Sequence, residues 1–340
     1  MQAQSHLTED IKIAATHAIL SAWSLSQRDE HPQAPDFFGE PLSKLARACG
    51  RLTQARPHDN ETMVMARGMA SQDFGQVLAN AAQVFAANRY RNSAPHLSFC
   101  EPIEVRDYRP VDFADASIAP ALDPIGENAE VTRARVSFGG TGHGQLTRYA
   151  KILNFSERVV RNDQSDLVKT SLAGLGAAAG RREGAAVYAL LEANEALADG
   201  SPVFHAGYGN IVGALDATTL AAAMAALRQG MTGYSGDIAD LEARFLIVAA
   251  DLELSAKKLV HDSGIDLVVI ASANLVTGRW YLLPDPQIQP VVGVLRLRGS
   301  TVPILLEPMP RPIQESGFCI KAGADIGAGI LTRHAVRGGA

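Results

Sequence analysis

Apolar positions recur at spacings of three and four between residues 71 and 90: Phe74, Val77, Leu78, Ala81, Val84 and Phe85. That period places them on one face and predicts an amphipathic helix, with Ser71 as its N-cap. A longer stretch, 163–198, predicts the longest helix of the chain, capped by Asn162 or Asp163. Leu167, Leu172, Leu175, Val187, Leu190 and Leu191 form its apolar side. Gly174, Gly176, Gly180 and Gly184 lie inside it. Each costs about 1 kcal/mol relative to alanine in a helix, so either a neighbouring backbone comes close or the helix bends.

The pattern differs on either side of these helices. Residues 1–68 read as a separate N-terminal segment: a weak helix over 11–25, a polar stretch over 27–41, a short helix over 42–52, then a polar linker around Pro57. From 97 to about 150 the chain reads as extended. Val105, Tyr108, Val111 and Phe113 are interleaved with charges, and Pro120, Pro124 and Gly126 break the chain. Residues 131–138 alternate, with Arg133 and Arg135 on one side and Val136 and Phe138 on the other. A glycine-rich run, 139–144, then predicts a turn between strands of a long β-excursion too polar for a core sheet. Beyond residue 200 the pattern is α+β. Helices are predicted at 217–229 and 251–261, and strands at 245–249, 265–271, 279–283, 291–297, 302–306, 318–322 and 325–331.

Composition narrows the function classes. Nearly half of the 340 residues are hydrophobic, enough for a sizeable core in two or three packing units. A formal net charge of −5 supplies no basic footprint for sequence-specific nucleic-acid binding. Residues 1–10 lack a basic stretch followed by an apolar run, so no secretory signal is expected. No apolar run approaches the roughly 20 residues that span a bilayer. Cys49, Cys100 and Cys319 are far apart and form no C-x-x-C pair, which predicts free thiols in a reducing compartment.

Candidate chemistry meets physical objections. The run 139–144 lacks the lysine and Ser/Thr, and the strand-to-helix setting, of a phosphate loop. Asp73-Phe74-Gly75 spells a kinase metal-binding tripeptide, but Phe74 belongs to a helical apolar stripe and no partner motif precedes it. His205, in the loop Phe204-His205-Ala206-Gly207-Tyr208-Gly209-Asn210, is the histidine best placed for acid–base work. No second histidine stands at metal spacing and no nucleophile elbow is present. Asp237, Asp240, Glu242 and Glu253 read as solvated faces. No catalytic, cofactor-binding or metal-ligating residue is assigned, and no cofactor is expected.

Several stretches, in order, resemble phage major capsid proteins. They are Val187-Tyr188-Ala189-Leu190-Leu191-Glu192-Ala193-Asn194, Leu197-Ala198-Asp199-Gly200, and 202–210. Ser71-Gln72-Asp73-Phe74, Gly126-Glu127, Tyr149-Ala150-Lys151-Ile152, Arg161-Asn162-Asp163, Phe245-Leu246-Ile247-Val248, Leu252-Glu253 and Asp325-Ile326-Gly327-Ala328-Gly329 add collinear matches from about residue 70 to 338. The chain is similar to the capsid part of prohead protease–major capsid fusions.

The resemblance implies an α+β fold of the Hong Kong 97 type. It implies an N-terminal extension at 1–68, an N-arm at 69–95 and an extended loop at 99–150. A peripheral domain at 151–210 and 317–338 would carry a spine helix at 163–198, and an axial domain would span 211–316. It further implies a non-enzymatic subunit that self-assembles, through pentamers and hexamers, into an icosahedral head around double-stranded DNA held without sequence specificity. Scaffold, prohead protease and portal proteins are the implied partners, no membrane is involved, and assembly in the bacterial host cytoplasm is implied. About 69 residues are too few for a serine protease domain, so the fused relatives' protease activity is not carried over. The first segment reads as a scaffold-like or linker segment, and the resemblance leaves its removal on maturation open. Nothing fixes a crosslinking lysine–asparagine pair. Two rival readings remain: an encapsulin-like compartment, and an α+β hydrolase using His205 with a carboxylate.

Overall fold

The computed structural model describes residues 9–23, 31–39, 41–52, 60–114, 140–162, 164–197, 200–230, 238–309 and 317–339. The predicted strand 131–138, the breaks at Pro120, Pro124 and Gly126, the motif residue Glu127, the linker at Pro57, and Gly139, Asp163, Ala198, Asp199 and Asp237 lie outside the described residues.

Along the chain run α1 (Glu9–Ala22), α2 (Pro41–Leu52), α3 (Glu61–Met69), α4 (Gln72–Asn92), β1 (Cys100–Val105), β2 (Val111–Ala114), β3 (Gly140–Gly144) and β4 (Thr147–Ser156). Next come α5 (Glu157–Arg161), α6 (Ser165–Ala193), β5 (Ile211–Val212), α7 (Ala217–Gln229), β6 (Ala243–Ala249), α8 (Glu253–Ser263) and β7 (Val268–Ser272). The chain ends with β8 (Trp280–Pro284), β9 (Val292–Leu297), β10 (Ile304–Met309), β11 (Gly317–Ile326), β12 (Ala328–Ile330) and β13 (Val336–Gly338). The fold is α+β. The chain divides into two compact units: Met1–Ser93 with Arg148–Arg181 and Val302–Asp325, and Ala94–Thr147 with Arg182–Thr301 and Ile326–Ala340.

In the first unit, α4 is the organising helix. The Ser71 hydroxyl accepts from the Phe74 N–H at 3.3 Å, which satisfies one orphan donor of the first turn. Phe74, Val77, Leu78 and Ala81 are buried as the spacing predicts, but Val84 is 39% exposed and the buried stripe continues through Ala82, Ala86 and Tyr90 instead. The 3.6-residue period drifts, and the true stripe follows it toward small residues. The three-stranded sheet β10-β11-β4 lies in this unit. Phe318 of β11 meets Phe74 edge-on at 5.3 Å and stacks on Phe155 of β4 at 4.8 Å. Gln83 clamps the edge strand β10: its amide donates to the Ile304 carbonyl at 2.7 Å and its oxygen accepts from the Leu306 N–H at 2.9 Å. Those groups would otherwise be an unpaired edge.

The N-terminal helices belong to this same unit. α1 and α2 fall where the sequence expects helices, while α3 goes unpredicted because it is short and sits beside polar linker residues. The first segment reads as separate in sequence, yet Ile19, Trp23, Leu42 and Leu45 are fully buried within the unit.

The second unit holds two five-stranded sheets. One has the order β5-β13-β8-β6-β7. Its inner strand β6, between β8 and β7, is buried on both faces. Phe245, Ile247 and Ala249 enter one core with Tyr281 and Leu283. Leu246 and Val248 enter the other with Leu220 and Leu227 of α7 and Ala256 of α8. A strand covered on both sides reads as a continuous apolar run, which is why β6 is legible in sequence. α7 begins in a capping box in which Asp216 and Thr219 bond each other's backbone N–H.

The other sheet has the order β1-β9-β12-β3-β2 and corrects two expectations. Of the run predicted as a turn, 140–144 is a strand: β3 pairs antiparallel with β2 and meets β12 at Gly144–Gly329. Its glycines serve close approach. A Cβ on Gly142 would overlap the Ile330 carbonyl oxygen. Nor is the region too polar for a core. Val105, Phe113, Leu146, Leu295 and Leu331 form a buried cluster, and β1 runs parallel to β9 from almost 200 residues away (Cys100 with Val292).

Candidate functional site

The motif-bearing stretch at the end of α6 is a loop closed by two asparagines. α6 stops at Ala193, short of the predicted 198, because Asn194 adopts a left-handed φ of 46°. The Asn194 side chain accepts from the Phe204 N–H at 2.8 Å and donates to the Phe204 carbonyl at 2.9 Å. Buried Asn210 accepts from the His205 N–H at 2.9 Å and donates to the Val203 carbonyl at 2.8 Å. These bonds replace water for backbone groups that no strand could satisfy. At the other end, Asn162 caps the C-terminus of α5 rather than starting α6, and Leu167 is 50% exposed because it falls off the buried stripe of Val168 and Leu172.

His205 serves this loop. Its ring Nδ1 accepts from the Gly207 N–H at 3.1 Å, and the ring lies edge-on to Tyr208 at 5.7 Å. The residue is exposed, and among the described residues no carboxylate is hydrogen-bonded to it. Among the described residues the acidic candidates do not converge either. Asp240 and Glu242 share Arg228 at 3.0 and 3.8 Å, and Glu253 pairs with Lys257 one turn on. Asp73 lies within α4 and binds Lys12 at 3.0 Å. Among the described residues, no group of three or more His, Cys, Asp or Glu is placed to hold a metal ion. An open groove beside α5 is lined by Ser156, Glu157, Arg158, Arg161 and Asn162, and its Arg161 already bonds Glu157 at 2.6 Å.

The structure assembles one charged cluster that sequence reading misses. Glu183 of α6 is 0% exposed, His96 is 1% exposed, and Arg296 of β9 is buried. Arg296 grips Glu183 with both terminal nitrogens, Nη2 at 3.0 Å from Oε2, and His96 Nε2 lies 3.0 Å from the same oxygen. Arg296 Nη1 also donates to the Leu295 carbonyl at 3.0 Å. A buried ion survives only with such partners. The three residues are 87 and 113 positions apart in pairs. The sole local signal is a charged residue between Arg182 and Gly184 on a helix face bound for the core.

The glycines of α6 divide by environment. A Cβ on Gly176 would strike the Ala86 carbonyl of α4; one on Gly180 would crowd Ser93 and Tyr90; one on Gly184 would meet the His96 ring. Gly174 faces open space. Close approach of a neighbouring backbone therefore explains Gly176 and Gly180, and the His96 side chain explains Gly184.

All three cysteines are buried, and none is joined in a disulfide. Burial pushes the Cys49 thiol up to about 12 and the Cys100 thiol well above its ordinary value. A thiol with a raised pKa stays protonated at pH 8, and the thiolate is the nucleophile. Iodoacetamide at pH 8 is therefore expected to leave Cys49 and Cys100 unlabelled in the native subunit and to label both in urea. Rapid native labelling, read by peptide mass, would contradict their burial.

No described helix is long and apolar enough to cross a membrane. β4 is exposed along most of its ten residues, with Ile152 51% exposed and Tyr149 also open. No curated protein sequence matches the chain. Among solved structures, it is similar to a phage-related protein from Bordetella bronchiseptica, at 14% identity and a TM-score of 0.47, over 78% of this chain and 96% of that one. It is also similar to a structure from Mycobacterium phage Bobi, at 12% identity and a TM-score of 0.45, over 72% and 89%. An encapsulin complex from Synechococcus elongatus is similar at 10% identity and a TM-score of 0.44, over 73% and 88%. The family model described as phage capsid protein matches residues 142–338, more than half of the chain. That span takes in α6, its asparagine-closed loop and every strand from β4 to β13, so this chain belongs to the phage capsid protein family and is a capsid shell subunit.

Proposed function

We propose that the chain assembles with copies of itself, through pentamers and hexamers, into an icosahedral head of the Hong Kong 97 type. The family match over residues 142–338 carries the reading. The exposure of β4 supports it: a long strand with open apolar side chains is a liability in a monomer, and a neighbouring copy would cover it. Shell contacts of this kind are heterologous and close by rotation. In this reading, 69–95 is the N-arm and 99–150 the extended loop. Residues 151–210 and 317–338 make the peripheral domain, whose spine helix contains α6, and 211–316 make the axial domain.

The head would enclose double-stranded DNA without reading its sequence, in keeping with a net charge of −5. Scaffold and portal proteins are its expected partners, and assembly takes place in the host cytoplasm. The subunit is structural rather than enzymatic. The exposed His205, engaged with its own turn, gives the hydrolase reading no support.

Electron microscopy of the purified protein is expected to show shells or capsomers, with DNA density in heads recovered from lysed hosts. A monodisperse monomer or dimer at high concentration would end the shell reading. Ordered protein cargo in place of DNA would move the assignment to an encapsulin-like compartment.

A further inference from the structure

We propose that α1, α2 and α3 are permanent parts of the subunit that hold α4 in place, and that they remain in the finished particle rather than leaving as a removable scaffold. The statement about particles rests on the capsid reading; the statement about the subunit rests only on packing within the first unit.

α1 buries a complete face: Ala14, Ala15, Ala18, Ile19 and Trp23 are at most 1% exposed. The Trp23 ring stands edge-on to Phe85 of α4 at 5.3 Å, and its carbonyl accepts from Lys169 of α6 at 2.5 Å. Lys12 meets the buried carboxylate of Asp73 at 3.0 Å. Removing α1 would take that cation from an ionised group that α4 keeps out of water.

α2 and α3 lie backbone to backbone. A Cβ on Gly50 would overlap the Val64 carbonyl, and one on Gly68 the Ala46 carbonyl. Such contact leaves no gap for water and marks a built helix pair. The last turn of α3 also makes the start of α4. The Gly68 carbonyl accepts from the Ser71 N–H at 3.0 Å and from the Ser71 hydroxyl at 2.6 Å, while that same hydroxyl caps α4. Ser43 of α2 reaches the Val160 carbonyl of α5 at 3.5 Å. A scaffold peptide must depart without disturbing what it touched, whereas these helices would take a core, an ion pair and the foundation of a helix cap with them. In this proposal the segment offers a prohead protease no dispensable substrate.

Two measurements test this on the full chain. In hydrogen exchange of the soluble subunit, α1–α3 are expected to be protected together with α4, at least about a hundredfold over an unstructured peptide. Exchange of α1–α3 at the unstructured rate, with α4 protected, would overturn the proposal. In assembled particles, the intact mass of the subunit is expected to include α1–α3. Particles whose subunits begin after residue 60 would overturn it equally. If no particles form under any condition, the capsid reading fails, while the exchange measurement still decides whether α1–α3 hold α4.

Discussion

Glu183→Gln is expected to destabilise the folded subunit by about 3–5 kcal/mol, the range for breaking a buried ion pair from one side. The shape of the side chain barely changes, so packing is not the cause. Glutamine cannot neutralise Arg296, whose guanidinium is buried and donates to Glu183 through both terminal nitrogens. It also presents an amide N–H where His96 or Arg296 now finds an acceptor. Domains have only about 5–15 kcal/mol of net stability, so one such change removes a large fraction of it. Arg296→Met should be similarly harmful because it takes the guanidinium away from the buried Glu183 carboxylate. The double variant Glu183→Leu with Arg296→Met should lose less than the sum of Glu183→Leu and Arg296→Met alone, by on the order of 1 kcal/mol or more. Urea titration of each variant checks this. A Glu183→Gln midpoint indistinguishable from the parent would mean the cluster does not bear on stability.

The second large effect is a reversal of sign between neighbouring glycines of α6. Gly174→Ala is expected to stabilise by up to about 1 kcal/mol, because alanine is the better helix former and the site opens onto free space. Gly176→Ala, two residues on, is expected to destabilise by about 1–3 kcal/mol despite the same gain in propensity. Its methyl group would be driven into the Ala86 carbonyl, a backbone atom that cannot rotate away. Thermal midpoints of the two variants, measured side by side, should move in opposite directions. If both rise, α6 and α4 have room between them, and the glycines belong to bending rather than to packing.

How far the sequence was legible depended on the range of the interactions involved. α4 could be read from its cap and spacing, because Ser71 bonds to a group three residues away. β6 could be read because both its faces are covered, leaving an unbroken apolar run. The run 139–144 could not be read correctly. Glycine favours both a positive φ and the close approach of another backbone, and local sequence does not distinguish them. Only the arrival of Ile330 beside Gly142 settles which one applies. β5 and β13 passed unnoticed because each is two or three residues long and depends on strands elsewhere in the chain.

The resemblance to phage capsid proteins rested on collinear motifs, and the match over residues 142–338 bears it out. The structure adds a physical reason for the best of those motifs. Asn194 and Asn210 stitch the backbone of the loop through their side-chain amides, so both serve hydrogen bonding.

By itself, then, the sequence determined the capped helix α4, the doubly buried strand, the α+β class and the capsid family, all of which depend on periodicity, near-neighbour bonds or ordered motifs. Tertiary structure alone decided that the glycine run is a strand and that three of the α6 glycines meet neighbouring groups. It also decided that α1–α3 share a core with α4, and that His96, Glu183 and Arg296 meet. Each of those outcomes depends on which distant segment comes close, and that is set by the packing of the whole unit rather than by any window of residues.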